Sequence, residues 1–324
     1  MKRDWITWDK NEISPAVFER RLEKVRRVIS EQQLSALVVY SELWRSNQAR
    51  FLSNYMPYFN RALLVIPLDQ PPTLLCGLTP RVYGWIRSVT ILEDIRPAGN
   101  FAKPLFQLAS ERNWTRIGVL NDPQLPYDIF KAIHGGALEV VNVDTATLFA
   151  PGEDEAELAM RRKAAAMAKE ILAGELPKGV ASVDHHFVGA LEKSFRRAGI
   201  EDLITLLTNG CTPPAPPMGT VLEENYSVSL AVEYRGHWIR LSRPQASAEV
   251  LLDCERRFEE CLRGIPIPLL GKGGEYWFEN LSGPYPYEVG PGSIFALHLE
   301  FKAGDKRLFY GDTCWYSESG SQPL

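Results

Sequence analysis

Residues 289–324 read VGPGSIFALHLEFKAGDKRLFYGDTCWYSESGSQPL, and this stretch decides the fold class of the C-terminal half. It contains two strand-like runs, residues 293–301 and 312–317, separated by Gly and Asp turn residues. Earlier strand-like runs lie at residues 204–207, 226–234 and 237–242. Runs of this kind, separated by turns, predict strands of the antiparallel type.

Helices precede and interrupt these strands. Residues 154–175 form a long helical pattern with acidic residues at its start, which suits the helix dipole. Further helices are predicted at residues 183–198 and 247–262. Helices followed by antiparallel strands predict an α+β domain over residues 151–324, with the helices covering one face of a curved sheet.

The N-terminal half has a different pattern. Residues 34–40 (LSALVVY) and 62–67 (ALLVIP) are apolar runs of the buried parallel-strand type. Shorter strands are predicted at residues 72–76, 117–120 and 138–143, with helical segments between most of them. Strands that alternate with helices predict an α/β domain over residues 1–150.

The composition excludes several classes of protein. The chain has 324 residues, is 45% hydrophobic and carries a net charge of −4, so it can bury a core and has no global basic field for nucleic acid. No apolar stretch is long enough for a signal peptide or a membrane span. The five cysteines are scattered without a C-x-x-C pair, which favours free thiols. We therefore expect a cytoplasmic protein with no nucleic-acid or membrane partner.

Three stretches together resemble the creatinase, aminopeptidase P and prolidase family, whose catalytic domain has the pita-bread fold. Residues 21–55 are similar to the opening of the family's N-terminal domain, and residues 154–169 (DEAELAMRRKAAAMAK) to the first helix of its catalytic domain. Residues 289–324 are similar to its closing strands. The resemblance implies a creatinase-like N-terminal domain and a pita-bread C-terminal domain, shortened before residue 271.

The family's dinuclear metal site uses two Asp, one His and two Glu, and the resemblance places other residues at these positions. Anchoring on the glycine of the hairpin puts Ser229 and Arg240 at the two Asp positions. His298 and Gly311 stand at the two Glu positions, and residues 271–283, where the family has its His, contain none. A guanidinium cannot ligate a cation. We therefore expect no metal and no other cofactor.

His298 is the best candidate for catalysis. Imidazole titrates near neutral pH, and Glu300 points the same way along the strand and could tune it as a general base. A single-metal site on these two residues is an alternative, and so is a purely structural histidine. The metal-free creatinase mechanism does not carry over, because residues 209–224 lack its histidine and Ser242 replaces its Glu.

A ligand-binding role is predicted for residues of the 229–243 hairpin. His237, Arg240 and Arg243 would form a cationic pocket for a carboxylate or phosphate, next to Ser229. The alternative is that Arg240 neutralises a neighbouring Glu. Cys211 could be a nucleophile if a histidine lay nearby, although an incidental thiol fits its sequence context better.

The expected function is that of a metal-independent protein that acts on the C–N bond of, or binds, a small amino-acid-like or amidic molecule, anionic in part. Two other interpretations stay open: a catalytically inactive pseudopeptidase that serves as an interaction module, and a metal-dependent peptidase. The resemblance also implies a homodimer.

Overall fold

The computed structural model of the chain describes residues 6–57, 59–148, 154–264, 276–281 and 291–324. The chain divides into two compact units, one of Arg3–Phe149 and one of Ala150–Leu324 with Met1–Lys2. Each unit has its own sheet and its own hydrophobic core. The shortening predicted before residue 271 falls largely on residues 265–275, which lie outside the described ranges.

The first unit alternates strands and helices. Its helices are α1 (Pro15–Glu31), α2 (Asn47–Ser53), α3 (Tyr83–Val89), α4 (Ala102–Glu111), α5 (Tyr127–His134) and α6 (Thr145–Leu148), with short 3₁₀ helices at Pro80–Val82 and Asp122–Gln124. Its strands are β1 (Ala36–Ser41), β2 (Ala62–Pro67), β3 (Thr73–Cys76), β4 (Asp94–Pro97), β5 (Arg116–Leu120) and β6 (Glu139–Val143). Within the described residues they form one sheet in the order β4-β3-β2-β1-β5-β6.

The predicted parallel pairing is correct for only part of this sheet. β1 and β5 are parallel, and so are β5 and β6, but β2 is antiparallel to both of its neighbours. β2 is nonetheless buried along its whole length, because apolar clusters cover both faces of the sheet. α1, α2 and α3 pack on one face, and α4 and α5 pack on the other. The apolar run therefore reports burial on two faces and not strand direction.

The second unit contains three helices among its described residues: α7 (Glu155–Gly179), α8 (Asp184–Arg197) and α9 (Ala248–Gly264). Its strands are β7 (Asp202–Asn209), β8 (Tyr226–Tyr234), β9 (His237–Gln245), β10 (Tyr276–Asn280), β11 (Ile294–Ala303), β12 (Lys306–Ser317) and β13 (Gly320–Pro323). The sheet order is β10-β11-β12-β9-β8-β7, and β13 pairs with β12. These pairs are antiparallel, as predicted.

The helices of the second unit cover one face of its sheet. Phe258 of α9 packs among Leu297, Leu299 and Leu308. Tyr226 of β8 donates its hydroxyl to the Leu176 carbonyl of α7. Because side chains alternate along a strand, the other half of the strand residues point to the opposite face, away from these helices.

Together the two units confirm the predicted fold class, an α/β unit followed by an α+β unit. In the described part of the chain, no helix combines the length and the apolar character needed to cross a bilayer.

Candidate functional site

One row of residues crosses the face of the second sheet that points away from α7 and α9. Ser229 of β8 pairs with Ser242 of β9, Ser242 pairs with Gly311 of β12, and Gly311 pairs with His298 of β11. Cross-strand partners point to the same face of a sheet. Three positions that the sequence aligns with separate metal ligands are therefore neighbours in space, and Ser242 joins them.

These side chains form a hydrogen-bonded chain. The Oγ atoms of Ser229 and Ser242 are 2.7 Å apart, and Ser242 Oγ is 2.8 Å from Nδ1 of His298. The His298 ring reaches Ser242 by lying over Gly311, where a Cβ atom would be 2.5 Å from His298 Nδ1 and 2.6 Å from the Leu297 carbonyl oxygen. A glycine is thus required at position 311 as long as His298 keeps this conformation.

The chain of hydroxyls and imidazole borders a small cavity of about 60 Å³. Ser229, Arg240, Ser242 and His298 supply its polar lining. The remaining lining residues are apolar: Ile204, Leu206, Pro214, Leu230, Ala231 and Phe309. An apolar cavity with a few convergent polar groups is the usual form of a small-molecule site, in which the polar groups orient the ligand.

His298 is neutral in this environment. Burial lowers the pKa of His298 to about 3, and the positive charges of Arg240 and Arg243 contribute to the same shift. A group with so low a pKa is a weak base at neutral pH, because general bases work best when their pKa lies near the working pH. The imidazole is therefore better suited to hydrogen bonding than to accepting a proton.

Arg240 is already paired with a carboxylate. Its Nη2 donates to Oε1 of Glu279 on β10 at 2.8 Å, and its Nε lies against the other carboxylate oxygen. The pair spans β12 and β11, where the intervening residues of the same row, Thr313 and Ala296, are small. The arrangement matches the alternative that Arg240 neutralises a neighbouring Glu.

Glu300 lies on the same face as His298 but is held elsewhere. Arg307 donates to both of its carboxylate oxygens, at 2.7 and 2.8 Å, and these hydrogen bonds lower the pKa of Glu300. Glu300 is not among the residues that line the cavity. The charges that lower the pKa of His298 come from the two arginines, and the predicted tuning by Glu300 has no support in this geometry.

Arg243 and His237 point to the other face of the sheet. Arg243 donates to Asp312 Oδ2 at 2.8 Å and to the Gly311 carbonyl, and it lies over the Tyr310 ring. His237 is buried and, being six residues away along β9, shares this orientation. The single cationic pocket predicted for His237, Arg240 and Arg243 is therefore not formed, because strand periodicity separates the first and last from Arg240.

The residues at the metal-ligand positions do not fit a dinuclear centre. Ser229, Arg240, His298 and Gly311 supply one imidazole and no carboxylate, and the guanidinium would repel a cation. Among the described residues, no three His, Cys, Asp or Glu side chains are grouped so that they could hold a metal ion. In the single-metal alternative on His298 and Glu300, the Glu300 carboxylate would have to leave its hydrogen bonds with Arg307.

Two participants in the site are not apparent from the sequence pattern. In the resemblance, Ser242 is notable only because it replaces a Glu. Its distance of two residues from Arg240 along the strand does indicate that the two side chains share a face. Glu279 carries no signal that ties it to Arg240, since the two residues are 39 apart in sequence and three strands apart in the sheet. Cys211, the possible nucleophile, is exposed and donates to the Asp305 carbonyl at 3.0 Å, and it does not line the cavity.

Comparison of sequences finds no relative: no family model and no curated protein matches the chain. Comparison of structures finds similar proteins. An X-Pro aminopeptidase from Thermotoga maritima has a TM-score of 0.76 and 14% identity, with 93% of this chain and 96% of that chain covered.

Two further structures agree. An Xaa-Pro dipeptidase from Bacillus anthracis has a TM-score of 0.72 at 14% identity and covers 94% of this chain and 97% of its own. A prolidase from Pyrococcus horikoshii has a TM-score of 0.71 at 11% identity with the same coverage. Both units are included in these matches, since nearly the whole of each chain is aligned. At these identities the likeness concerns the fold, and the chain has the pita-bread fold of the prolidase and X-Pro aminopeptidase structures.

Proposed function

We propose that this chain is a metal-independent protein that binds a small amino-acid-like or amidic molecule in the cavity beside Ser229, Ser242 and His298. The observation that carries the proposal is the hydrogen-bonded chain of these three side chains at the edge of an otherwise apolar cavity. Hydroxyls and a neutral imidazole both donate and accept hydrogen bonds, as an amide group does. The cavity therefore suits an amide better than an ion.

The size of the cavity supports a small inserted group. A volume of about 60 Å³ accommodates a few heavy atoms, such as a carboxamide or ureido group, with the rest of the ligand outside. An anionic part of the ligand, as predicted from Arg240, would have to displace the Glu279 carboxylate from its ion pair. We therefore assign recognition to the neutral polar groups.

Catalysis on a C–N bond is the second candidate. The same hydrogen-bonded chain favours it, because a proton released by Ser229 could pass through Ser242 to His298. Against it stands the pKa of about 3 that burial imposes on His298, which makes the imidazole a poor proton acceptor at neutral pH. Binding without turnover is the better supported of the two.

Ligand-observed NMR with a panel of small amides, ureas and X-Pro dipeptides tests the proposal. We expect at least one amide to bind, and Ser229→Ala to weaken it about tenfold through a lost hydrogen bond in an apolar site. Ser88→Ala is the matched control, because this exposed hydroxyl lies in the other unit. If no amide binds, or if Ser229→Ala leaves the affinity unchanged, the proposal is wrong.

The same samples separate binding from catalysis. Turnover of a bound amide that disappears in Ser229→Ala while its affinity persists would establish the catalytic candidate instead. The homodimer and the cytoplasmic location stay predictions, and sedimentation of the purified chain tests the first of them.

A further inference from the structure

A second cavity lies in the first unit, at the carboxyl ends of the parallel strands β1 and β5. Its volume is about 170 Å³, and it is bordered by Tyr40 and Leu120 at the ends of these strands. The loops that follow the strands supply the rest of its lining. The site proposed above lies wholly in the other unit and shares no residue with it.

The sheet topology creates this crevice. After β1 the chain enters α2, whose Ala49 and Leu52 pack on one face of the sheet. After β5 it enters α5, whose Ile129 and Ile133 pack on the opposite face. Because the two connections diverge, they leave a gap above the strand ends. In open α/β sheets, ligands bind in crevices of this kind.

Half of the lining residues of the cavity are polar, none of the lining residues is a carboxylate, and Arg45 carries a positive charge. Asn47, Gln48 and Gln124 contribute carboxamides, and in the described part of the chain the side chains of these three residues have no hydrogen-bond partner. Arg45 closes one side by donating to the Gln124 carbonyl. Trp44 contributes an indole ring that is 73% exposed.

The chemistry of the lining selects a class of ligand. Carboxamides present a donor and an acceptor side by side, and they pair with ligand edges that do the same. An exposed indole offers a face for a planar ring. A cavity of roughly 150 Å³ holds one six-membered ring, as an engineered benzene site shows. The volume of about 170 Å³ therefore fits a single ring.

We infer that this cavity is a second small-molecule site, which takes a neutral planar ring with adjacent hydrogen-bond donors and acceptors, a cyclic amide of the nucleobase type. The ring stacks on Trp44, and the carboxamides of Asn47, Gln48 and Gln124 form hydrogen bonds with the donors and acceptors on its edge. The inference goes beyond the proposed function, because it concerns a different unit and a different ligand.

Titration of the 324-residue chain with uracil, followed by NMR, tests the inference. We expect saturable binding, which Trp44→Ala weakens about tenfold, the order of magnitude of a lost ring-stacking contact. Gln48→Met keeps the side-chain length and removes the carboxamide, and we expect it to weaken binding about fivefold. Tyr127→Ala is the matched control, since Tyr127 is an aromatic residue with 74% exposure that does not line the cavity.

Two further ligands and one variant sharpen the result. Uracil methylated on both ring nitrogens keeps the ring and loses the donors, so it should bind more weakly, and glucose should not compete. The inference is overturned if uracil does not bind, if either comparison ligand binds as tightly, or if Tyr127→Ala weakens binding as much as Trp44→Ala. It is also overturned if Ser229→Ala reduces uracil affinity, because that result would place uracil in the other cavity.

Discussion

At the scale of the residue, Gly311 and His298 depend on each other. The imidazole fills the space that a side chain at position 311 would occupy, and it uses that space to reach Ser242. Both positions align with metal-ligating Glu residues in the resemblance. His298 and Gly311 form a packed and hydrogen-bonded unit with Ser242.

Gly311→Ala should destabilise the protein. The added methyl group would contact His298 Nδ1 and the Leu297 carbonyl oxygen at 2.5 and 2.6 Å, so the ring or the strand must move. Overpacking of this kind costs about 1–3 kcal/mol in the free energy of unfolding, measured by urea denaturation. Gly174→Ala in α7 is the control, because an added Cβ there would meet no atom within 4 Å and helix propensity should make the change neutral or stabilising. Wild-type stability in Gly311→Ala would contradict the close packing.

His298→Gln should change how stability depends on pH. Burial, with Arg240 and Arg243, lowers the pKa of His298 from 6.5 to about 3. Between these pH values His298 is protonated in the unfolded chain and neutral in the folded chain. Between these values the wild-type protein loses stability as the pH falls, by roughly 1 kcal/mol per pH unit. Glutamine does not titrate, so the variant lacks this loss of stability at acidic pH.

Urea denaturation of both proteins at several pH values measures the effect. The difference between their free energies of unfolding should be constant above about pH 7 and should shift in favour of the variant as the pH falls below about 6. A difference that stays constant through the acidic range would show that His298 titrates alike in the folded and unfolded chain.

At the scale of the element, Asp184 binds the segment of residues 214–220. This segment contributes Pro214 to the lining of the cavity beside His298. The carboxylate, buried at the start of α8, accepts hydrogen bonds from the backbone N–H groups of Met218, Gly219 and Thr220 at 2.9–3.1 Å. Burial alone would raise the pKa of Asp184, but these N–H groups outweigh it and lower the pKa to about 2. The Asp184 carboxylate is therefore one of the groups that hold this segment, together with the two backbone hydrogen bonds between Ala215 and Leu207.

Asp184→Asn should loosen this segment, because an amide offers one acceptor oxygen where the carboxylate offers two. We expect the amides of residues 218–220 to exchange with deuterium about tenfold faster or more, since local opening costs less free energy. Glu192→Gln on the exposed side of α8 is the control and should leave the exchange of this segment unchanged. Equal exchange in both variants would mean that other contacts hold the segment.

At the scale of the whole molecule, two units with separate cores each border one of the two cavities described above, and these cavities differ in character. Neither cavity is lined by a carboxylate, which also limits the cations that each would attract. The fold is that of peptidases whose structures it matches at 11–14% identity, while the residues at the centre of its second sheet suit neutral ligands.

Stability should not depend on divalent metals. Because the ligand positions supply one imidazole and no carboxylate, added Mn²⁺, Co²⁺ or Zn²⁺ should not raise the melting temperature, and EDTA should not lower it. A metal that binds only the folded chain would add about 2.7 kcal/mol at a hundredfold excess over its Kd, a shift that calorimetry detects readily. Stoichiometric metal in elemental analysis of the purified protein would contradict the assignment of the ligand positions.

The fold was largely predictable from the sequence. The apolar runs located β1, β2 and β8 to within two residues, because burial on a sheet leaves a local pattern. The short elements α2, β4 and β13 were missed, because they carry too few residues to show a period. The direction of β2 could not be predicted from the pattern either, since a strand buried on both faces is apolar whichever way it runs.

Through the resemblance, the sequence also predicted that residues other than the metal ligands occupy the aligned positions, because side-chain chemistry at an aligned position needs no coordinates. The tertiary structure was needed to show which of the remaining residues lie together. Strand pairing brought His298 into one row with Ser229 and Ser242. Arg240 met Glu279 across two intervening strands. Such contacts depend on hydrogen-bonded pairing between distant segments, and no local pattern encodes that pairing.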